Sequence, residues 1–174
     1  RYSYLVSLLP ARIIEDLGLR VRLSRRRVSS YTPDPSSGGR TGLLIGPDST
    51  FGAVGADADE AGFDDFYRNC RTLTSRLWPT MTEPLWTRTE MRRSVVADAG
   101  EDAETAWRSM IERPIGEAIT TRVGNDLVRG VIATDALIGT FAHVGDETLA
   151  QNVCFLYHLL GGGAGDWDVP IGGM

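Results

Sequence analysis

Few residues in this chain could do chemistry, and their spacing narrows what that chemistry is. The two histidines, His143 and His158, lie fifteen positions apart, with no His-Glu-x-x-His or Cys-x-x-Cys pattern beside them. No metal site is expected from such a set. Cys70 and Cys154 are far apart in sequence and read as small buried apolar residues. A serine hydrolase would need a nucleophile on a sharp turn, and no Gly-x-Ser-x-Gly is present. His158 is the residue whose ordinary titration suits acid–base work near neutrality. Set between Tyr157 and Leu159, it reads by default as a core histidine with satisfied hydrogen bonds. Asp135 interrupts an apolar run and is a candidate buried acid. Burial would raise its pKa unless an arginine or backbone amides paired with it, which is the ordinary structural role of such a carboxylate.

The glycines at Gly161-Gly162-Gly163-Ala164-Gly165 invite a phosphate-loop reading, which fails on inspection. Aspartate falls where Gly-x-G-x-x-G needs its last glycine, and the chain has no lysine for a Walker loop. Trp167-Asp168-Val169-Pro170 follows, and it cannot open a helix whose N-terminus holds a pyrophosphate. These glycines read instead as a flexible loop or a close backbone approach.

The chain of 174 residues carries a formal charge of −5, with 42% hydrophobic and 24% charged residues. That is the composition of an ordinary globular chain, and one domain spanning 1–174 is expected. The negative charge argues against a dedicated nucleic-acid binder, whose affinity rests on cationic contacts to phosphates. No apolar run reaches the ~18 residues of a membrane span. The longest, Val131 to Ala142, is broken by Asp135, and Arg1 to Ile14 lacks a convincing cleavage pattern. A cytoplasmic location is the expectation.

The elements that must position these residues follow from periodicity. A short helix is expected over Ala11 to Leu17, stopped by Gly18. Alternation over Val21 to Tyr31 predicts a strand, and Thr41 to Ile45 a second, joined as a hairpin around a Pro/Ser/Gly turn. Asp59 to Leu77 repeats Phe63, Phe66, Tyr67, Cys70, Leu73 and Leu77 at three- and four-residue steps, a core-facing helix. Asp57 or Asp59 can cap it. Thr80 to Val96 reads as a loop anchored by Trp86, Glu101 to Glu112 as a helix, and Ile115 to Thr121 as another. Asn125 looks like an N-cap for Asp126 to about Thr140, a helix with little polar face, which should be buried or line an apolar cavity. Thr148 to Leu160 is apolar, and its period does not decide between helix and strand. The fold expected is α+β. A twisted mixed sheet built from Val21–Ser30, Thr41–Ile45 and at least one further strand would be covered by helices.

The run Asp126-Leu127-Val128-Arg129-Gly130-Val131-Ile132-Ala133-Thr134-Asp135-Ala136-Leu137-Ile138-Gly139-Thr140-Phe141-Ala142 resembles a segment of the phytoene dehydrogenase-like FAD-dependent oxidoreductases. So do Phe155-Leu156-Tyr157-His158 and Gly165-Asp166-Trp167-Asp168-Val169-Pro170-Ile171-Gly172-Gly173-Met174, and, near the start, Tyr4-Leu5-Val6-Ser7-Leu8-Leu9-Pro10 and Tyr31-Thr32-Pro33. The likeness is nearest to the branch named for pyridine nucleotide-disulfide oxidoreductase domains. It covers most of the chain, least between Thr80 and Ala103.

The resemblance implies a substrate-binding, or cap, domain from the middle of a longer flavoenzyme, since the family's dinucleotide-binding halves have no counterpart here. A start without methionine and a stop at Gly-Gly-Met agree with that expectation. By the same resemblance Leu137, Ile138, Phe141, Tyr157 and His158 would line the substrate cavity. Trp167, Pro170, Gly172, Gly173 and Met174 would approach the isoalloxazine of FAD. An apolar small molecule would donate hydride to the flavin, with no general base assigned, and the remainder of the flavoenzyme would be this domain's partner. FAD itself would not stay on the isolated piece. A second expectation comes from the missing nucleotide loop and catalytic set. The chain would then be a non-catalytic module whose apolar element binds a ligand, a partner or, peripherally, a membrane.

Overall fold

The computed structural model describes residues 6–97, 100–161 and 168–172. Its architecture is α+β, with a helical body and two small antiparallel sheets of two strands each. The expected single mixed sheet is therefore corrected. Val21 to Tyr31 does not form one strand. It divides into β1 (Leu23–Arg25) and β2 (Ser30–Pro33), which join different sheets. Arg26 and Arg27 follow β1 in the break, and Arg26 donates from Nη2 to the Ser29 carbonyl at 3.0 Å.

β1 pairs with β4 (Asp168–Pro170), so Leu23 faces Pro170 and Arg25 faces Asp168. The Arg25 guanidinium grips the Asp168 carboxylate at 3.1 Å. β2 pairs with β3 (Gly42–Ile45), from Ser30 opposite Ile45 to Pro33 opposite Gly42, which is the expected hairpin with a long turn. Asp34 organises that turn by accepting from the Ser36 amide at 2.9 Å and the Ser36 hydroxyl at 2.8 Å. Thr50 seals the outer edge of β3. It accepts from the Leu44 amide at 2.9 Å and donates to the Gly42 carbonyl at 3.0 Å. Gly42 must stay small, because a Cβ there would come within 2.6 Å of the Thr32 carbonyl and 2.7 Å of the Tyr31 ring.

The helices run in order α1 (Ala11–Asp16), α2 (Glu60–Leu77), α3 (Arg88–Val96), α4 (Gly100–Trp107), α5 (Ile115–Thr120), α6 (Asp126–Leu137) and α7 (Ala150–Leu159). α2 is the centre: Phe63, Phe66, Cys70, Leu73 and Thr74 are buried, and α3, α4 and α7 pack around it. α6 lies against α7. The stretch left open at Thr148 to Leu160 is thus helix. The loop expected over Thr80 to Val96 is corrected by α3. A capping box starts this helix: Thr87 Oγ1 accepts from the Glu90 amide at 3.2 Å, and Glu90 Oε2 accepts from the Thr87 amide at 2.8 Å. The expected helix Glu101 to Glu112 continues past α4 as a π-turn over Arg108–Glu112, where Trp107 Nε1 donates to Glu112 Oε1 at 2.8 Å. α6 ends at Leu137, three residues short of Thr140.

Two buried polar side chains lock the helices together. Asn152 on α7 accepts from the Ile115 amide at 3.0 Å and donates to the Met110 and Arg113 carbonyls at 3.0 and 2.8 Å. It closes the gap where the π-turn hands over to α5. Asp59 makes no capping bond to α2, which corrects that expectation. Its carboxylate instead accepts from the Gly124 amide at 2.7 Å and the Asn125 amide at 2.6 Å. Asn125 caps α6 as expected, accepting from the Leu127 amide at 2.9 Å and the Val128 amide at 3.4 Å.

Asp59→Ala leaves two amides without their charged acceptor and should lower stability by about 3 kcal/mol. Gly62→Ala drives a methyl into the Arg122 carbonyl, where α2 passes closest to the same loop. It should cost roughly 1–3 kcal/mol. Thermal denaturation checks both, and unchanged midpoints would contradict this account of the joint.

Candidate functional site

A cavity of about 570 Å³ opens between α2, α6 and the β2–β3 hairpin. Its volume lies in the range of small-molecule sites. α2 contributes Phe63, Tyr67 and Arg71, spaced four apart and hence on one stripe. α6 contributes Val131 and Asp135 by the same spacing. The hairpin contributes Ile45, and α7 contributes Leu159, to a lining that also includes Ser29, Ser30 and Thr134.

Tyr67 is held by its ring. The centroid lies 4.7 Å from that of Phe63 and 5.4 Å from that of Phe66, the second edge-on at 84°. The phenol is therefore aimed by packing, and no hydrogen bond to it is found among the described residues. Burial raises its pKa, and the nearby Asp135 charge adds to the effect, so it stays a hydroxyl.

Asp135 is half-buried and has no hydrogen-bond or ion-pair partner among the described residues. The pairing with an arginine that would make it an ordinary structural carboxylate is not formed. Burial raises its pKa above the ordinary 3.8, while His158 behind it pulls the other way. His158 is buried, and its Nδ1 lies 2.8 Å from the Cys154 carbonyl, one helical turn back. That contact assigns the proton to Nδ1 and satisfies the ring as a core histidine. Cys154 is half-buried instead of buried. Its thiol donates to the Ile138 carbonyl at 2.9 Å, and burial followed by the Asp135 charge raises its pKa. A protonated, occupied thiol is no nucleophile. Cys70, fully in the core, is pushed up to about 12 by burial.

The residues that the resemblance assigns to the substrate cavity divide. His158 stands behind Asp135. Leu137, Ile138, Phe141 and Tyr157 are exposed around the end of α6 and the outer face of α7, outside this cavity. The Cys154–Ile138 hydrogen bond holds that surface together. Of the residues assigned to the flavin, Pro170 ends β4 and Gly172 follows at φ +91°, a left-handed conformation that favours glycine. Trp167, Gly173 and Met174 lie outside the described residues. A Cβ on Gly172 would meet open space, so no cradle closes around it. The described residues thus offer an edge of backbone and do not amount to a dinucleotide site. Among them, no group of three or more His, Cys, Asp or Glu side chains could hold a metal ion. No described helix is long and apolar enough to cross a membrane.

Tyr67 packs against the core, as its place in the stripe predicts, while Arg71, one turn further on, lines the cavity and was not singled out from the sequence. The available signal was the spacing Phe63–Tyr67–Arg71, a stripe that turns from apolar to charged as it leaves the core.

No family model matches the chain, and no solved structure matches it. Uncharacterized proteins of Mycobacterium tuberculosis and Mycobacterium bovis are each 60% identical to it over 179 residues, covering 100% of this chain and 34% of their own length. The chain therefore spans about a third of the curated relatives it matches.

A carboxyl whose pKa is raised by folding adds stability below its unfolded value of 3.8 and loses it as pH climbs through the folded value. Asp135→Asn removes that cost. The variant should melt a few degrees higher than the parent at mildly alkaline pH, with the gain shrinking on acidification. An unchanged difference across pH would show that Asp135 is not desolvated.

Proposed function

We propose that this chain is the substrate-binding part of a longer FAD-dependent oxidoreductase of phytoene dehydrogenase-like type, acting on an apolar substrate by hydride transfer. The observation that carries the reading is the cavity between α2, α6 and the hairpin, where Phe63, Ile45, Val131 and Leu159 form an apolar patch within a lining that is otherwise polar. The ordered motifs support it, and so does the share of the mycobacterial relatives that lies outside this chain, ample for a nucleotide-binding fold. On this reading the chain's fold is the cap of such an enzyme. Its residues bind the apolar body, exclude water and orient the substrate. The flavin, held by the rest of the protein, would supply the hydride acceptor. The reading includes a cytoplasmic location, in keeping with two unpaired cysteines.

The exposed group Leu137, Ile138, Phe141 and Tyr157 favours a second reading, a non-catalytic module whose apolar surface docks a partner.

The full-length gene product should purify yellow, with flavin absorbance in the visible, while the isolated 174-residue chain should bind no FAD. A folded, colourless full-length protein that cannot be loaded with flavin would overturn the oxidoreductase reading and leave the second.

A further inference from the structure

Every residue from Glu15 to Ser29 is exposed, although β1 lies within that stretch. α1, just before it, has no buried residue either. Two strands alone make a marginal sheet in water, and packing or a further strand is what normally holds one. The ribbon of β1 and β4 has no third strand among the described residues. Yet the stretch leading into β1 alternates as a packed strand would. Leu19, Val21 and Leu23 take one side, with Val21 and Leu23 37% and 38% exposed, and Arg20, Arg22 and Ser24 take the other. Arg20 and Arg22 have no carboxylate partner among the described residues.

The register tells which edge of the ribbon is open. Ile171 donates to the Arg22 carbonyl at 2.9 Å, so Arg22 and Ile171 form a hydrogen-bonded pair. Leu23 opposite Pro170 is then the alternate, non-bonded pair, and the Leu23 amide and carbonyl point away from β4. Pro170 has no N–H, which blunts the outer edge of β4. The outer edge of β1 keeps both a donor and an acceptor at Leu23, and that amide has no acceptor among the described residues. The mycobacterial relatives carry this region as 34% of their length, so the larger part of such a polypeptide lies outside it. We propose that a segment of the full-length protein outside residues 1–174 adds to the free edge of β1 as a third strand, alternating apolar with acidic residues. Residues directly across neighbouring strands share a face. The apolar residues of the added strand then cover Val21 and Leu23, and its carboxylates meet Arg20 and Arg22. A second copy of β1 fits the edge poorly, because it would bring the same arginines, and like charges facing each other across strands destabilise the pairing.

This strand addition is independent of the oxidoreductase reading, since flavin content plays no part in its test. In the full-length protein, hydrogen exchange over residues 19–25 should be roughly tenfold or more slower than in an unstructured chain, as for a strand paired on both edges. Val21→p-benzoylphenylalanine should, on irradiation, cross-link within one molecule to a residue outside 1–174. Mass spectrometry of the product should place the link in a stretch that alternates apolar and acidic residues. Arg20→Glu combined with Arg22→Glu should cut the cross-link yield severalfold. Arg20→Lys combined with Arg22→Lys should retain it. Both positions are exposed, so neither pair of changes touches the core. Unprotected exchange, a cross-linked dimer, a link that stays within residues 1–174, or a yield indifferent to the charge reversal would each overturn the proposal.

Discussion

The geometry of this domain depends on where the Asp59 carboxylate is spent. An aspartate just before a helix usually caps that helix. Here it reaches across to the amides of Gly124 and Asn125, sixty-odd residues later in sequence. The result is a fixed hinge between the start of α2 and the start of α6, the two helices that wall the cavity. Asn125 passes the constraint on, since its side chain caps α6 and its Nδ2 donates to the Val54 carbonyl at 3.3 Å. Gly62 lets the backbones come close enough for this to work. A carboxylate accepting two short amide bonds is among the stronger polar interactions a domain can make, because the acceptor is charged and nearly out of water. The placement of α2 against α6 is thus fixed where both helices begin.

Near the start of α7 the same work is done by a neutral side chain. Asn152 uses its carbonyl and its amide group together, and its three partners belong to a helix start, a π-turn and the link between them. A π-turn widens the helix and strands carbonyls that an α-helix would pair. Asn152 collects two of those loose carbonyls. It thereby turns a weak stretch into a fixed corner, against which Phe155 packs edge-on to Phe66 at 5.6 Å. Phe66 in turn braces Tyr67. The cavity's hydroxyl is positioned by a chain of rings that ends on a buried amide.

What was legible in the sequence was the local part. The Phe63-to-Leu77 stripe and the Asn125 cap are determined by residues within one or two turns of each other and appear as read, while of the hairpin the Thr41–Ile45 strand does and its partner begins at Ser30 and not at Val21. The capping box at Thr87 and Glu90 was equally local but went unread, because prolines and arginines around it looked like loop. The long-range parts were not legible. Nothing in Leu23-to-Arg25 says that its partner lies at Asp168-to-Pro170. Nor does an aspartate at position 59 declare that it will serve position 124. Asp135 lies between these cases: its oddness in an apolar run was visible, while the space it faces depends on α2 and the hairpin.

α6 shows why an almost wholly apolar helix can sit in a domain without being wholly buried. Its sequence divides by face. Val128, Ile132 and Ala136, spaced four apart, are buried in the core. Val131 and Asp135, one position behind on the same spacing, face the cavity. Leu137 and the following Ile138 are exposed beside Tyr157. A helix of this kind meets three apolar environments: a packed core, a cavity wall and an open surface. Val131 on the cavity side, with Leu127 and Ala133, also packs against this chain's own core. The core stripe accounts for the helix being stable. The exposed stripe, Leu137 and Ile138, has no such packing to account for its apolarity. On the second reading proposed above, that exposed end of the helix is where a partner would dock.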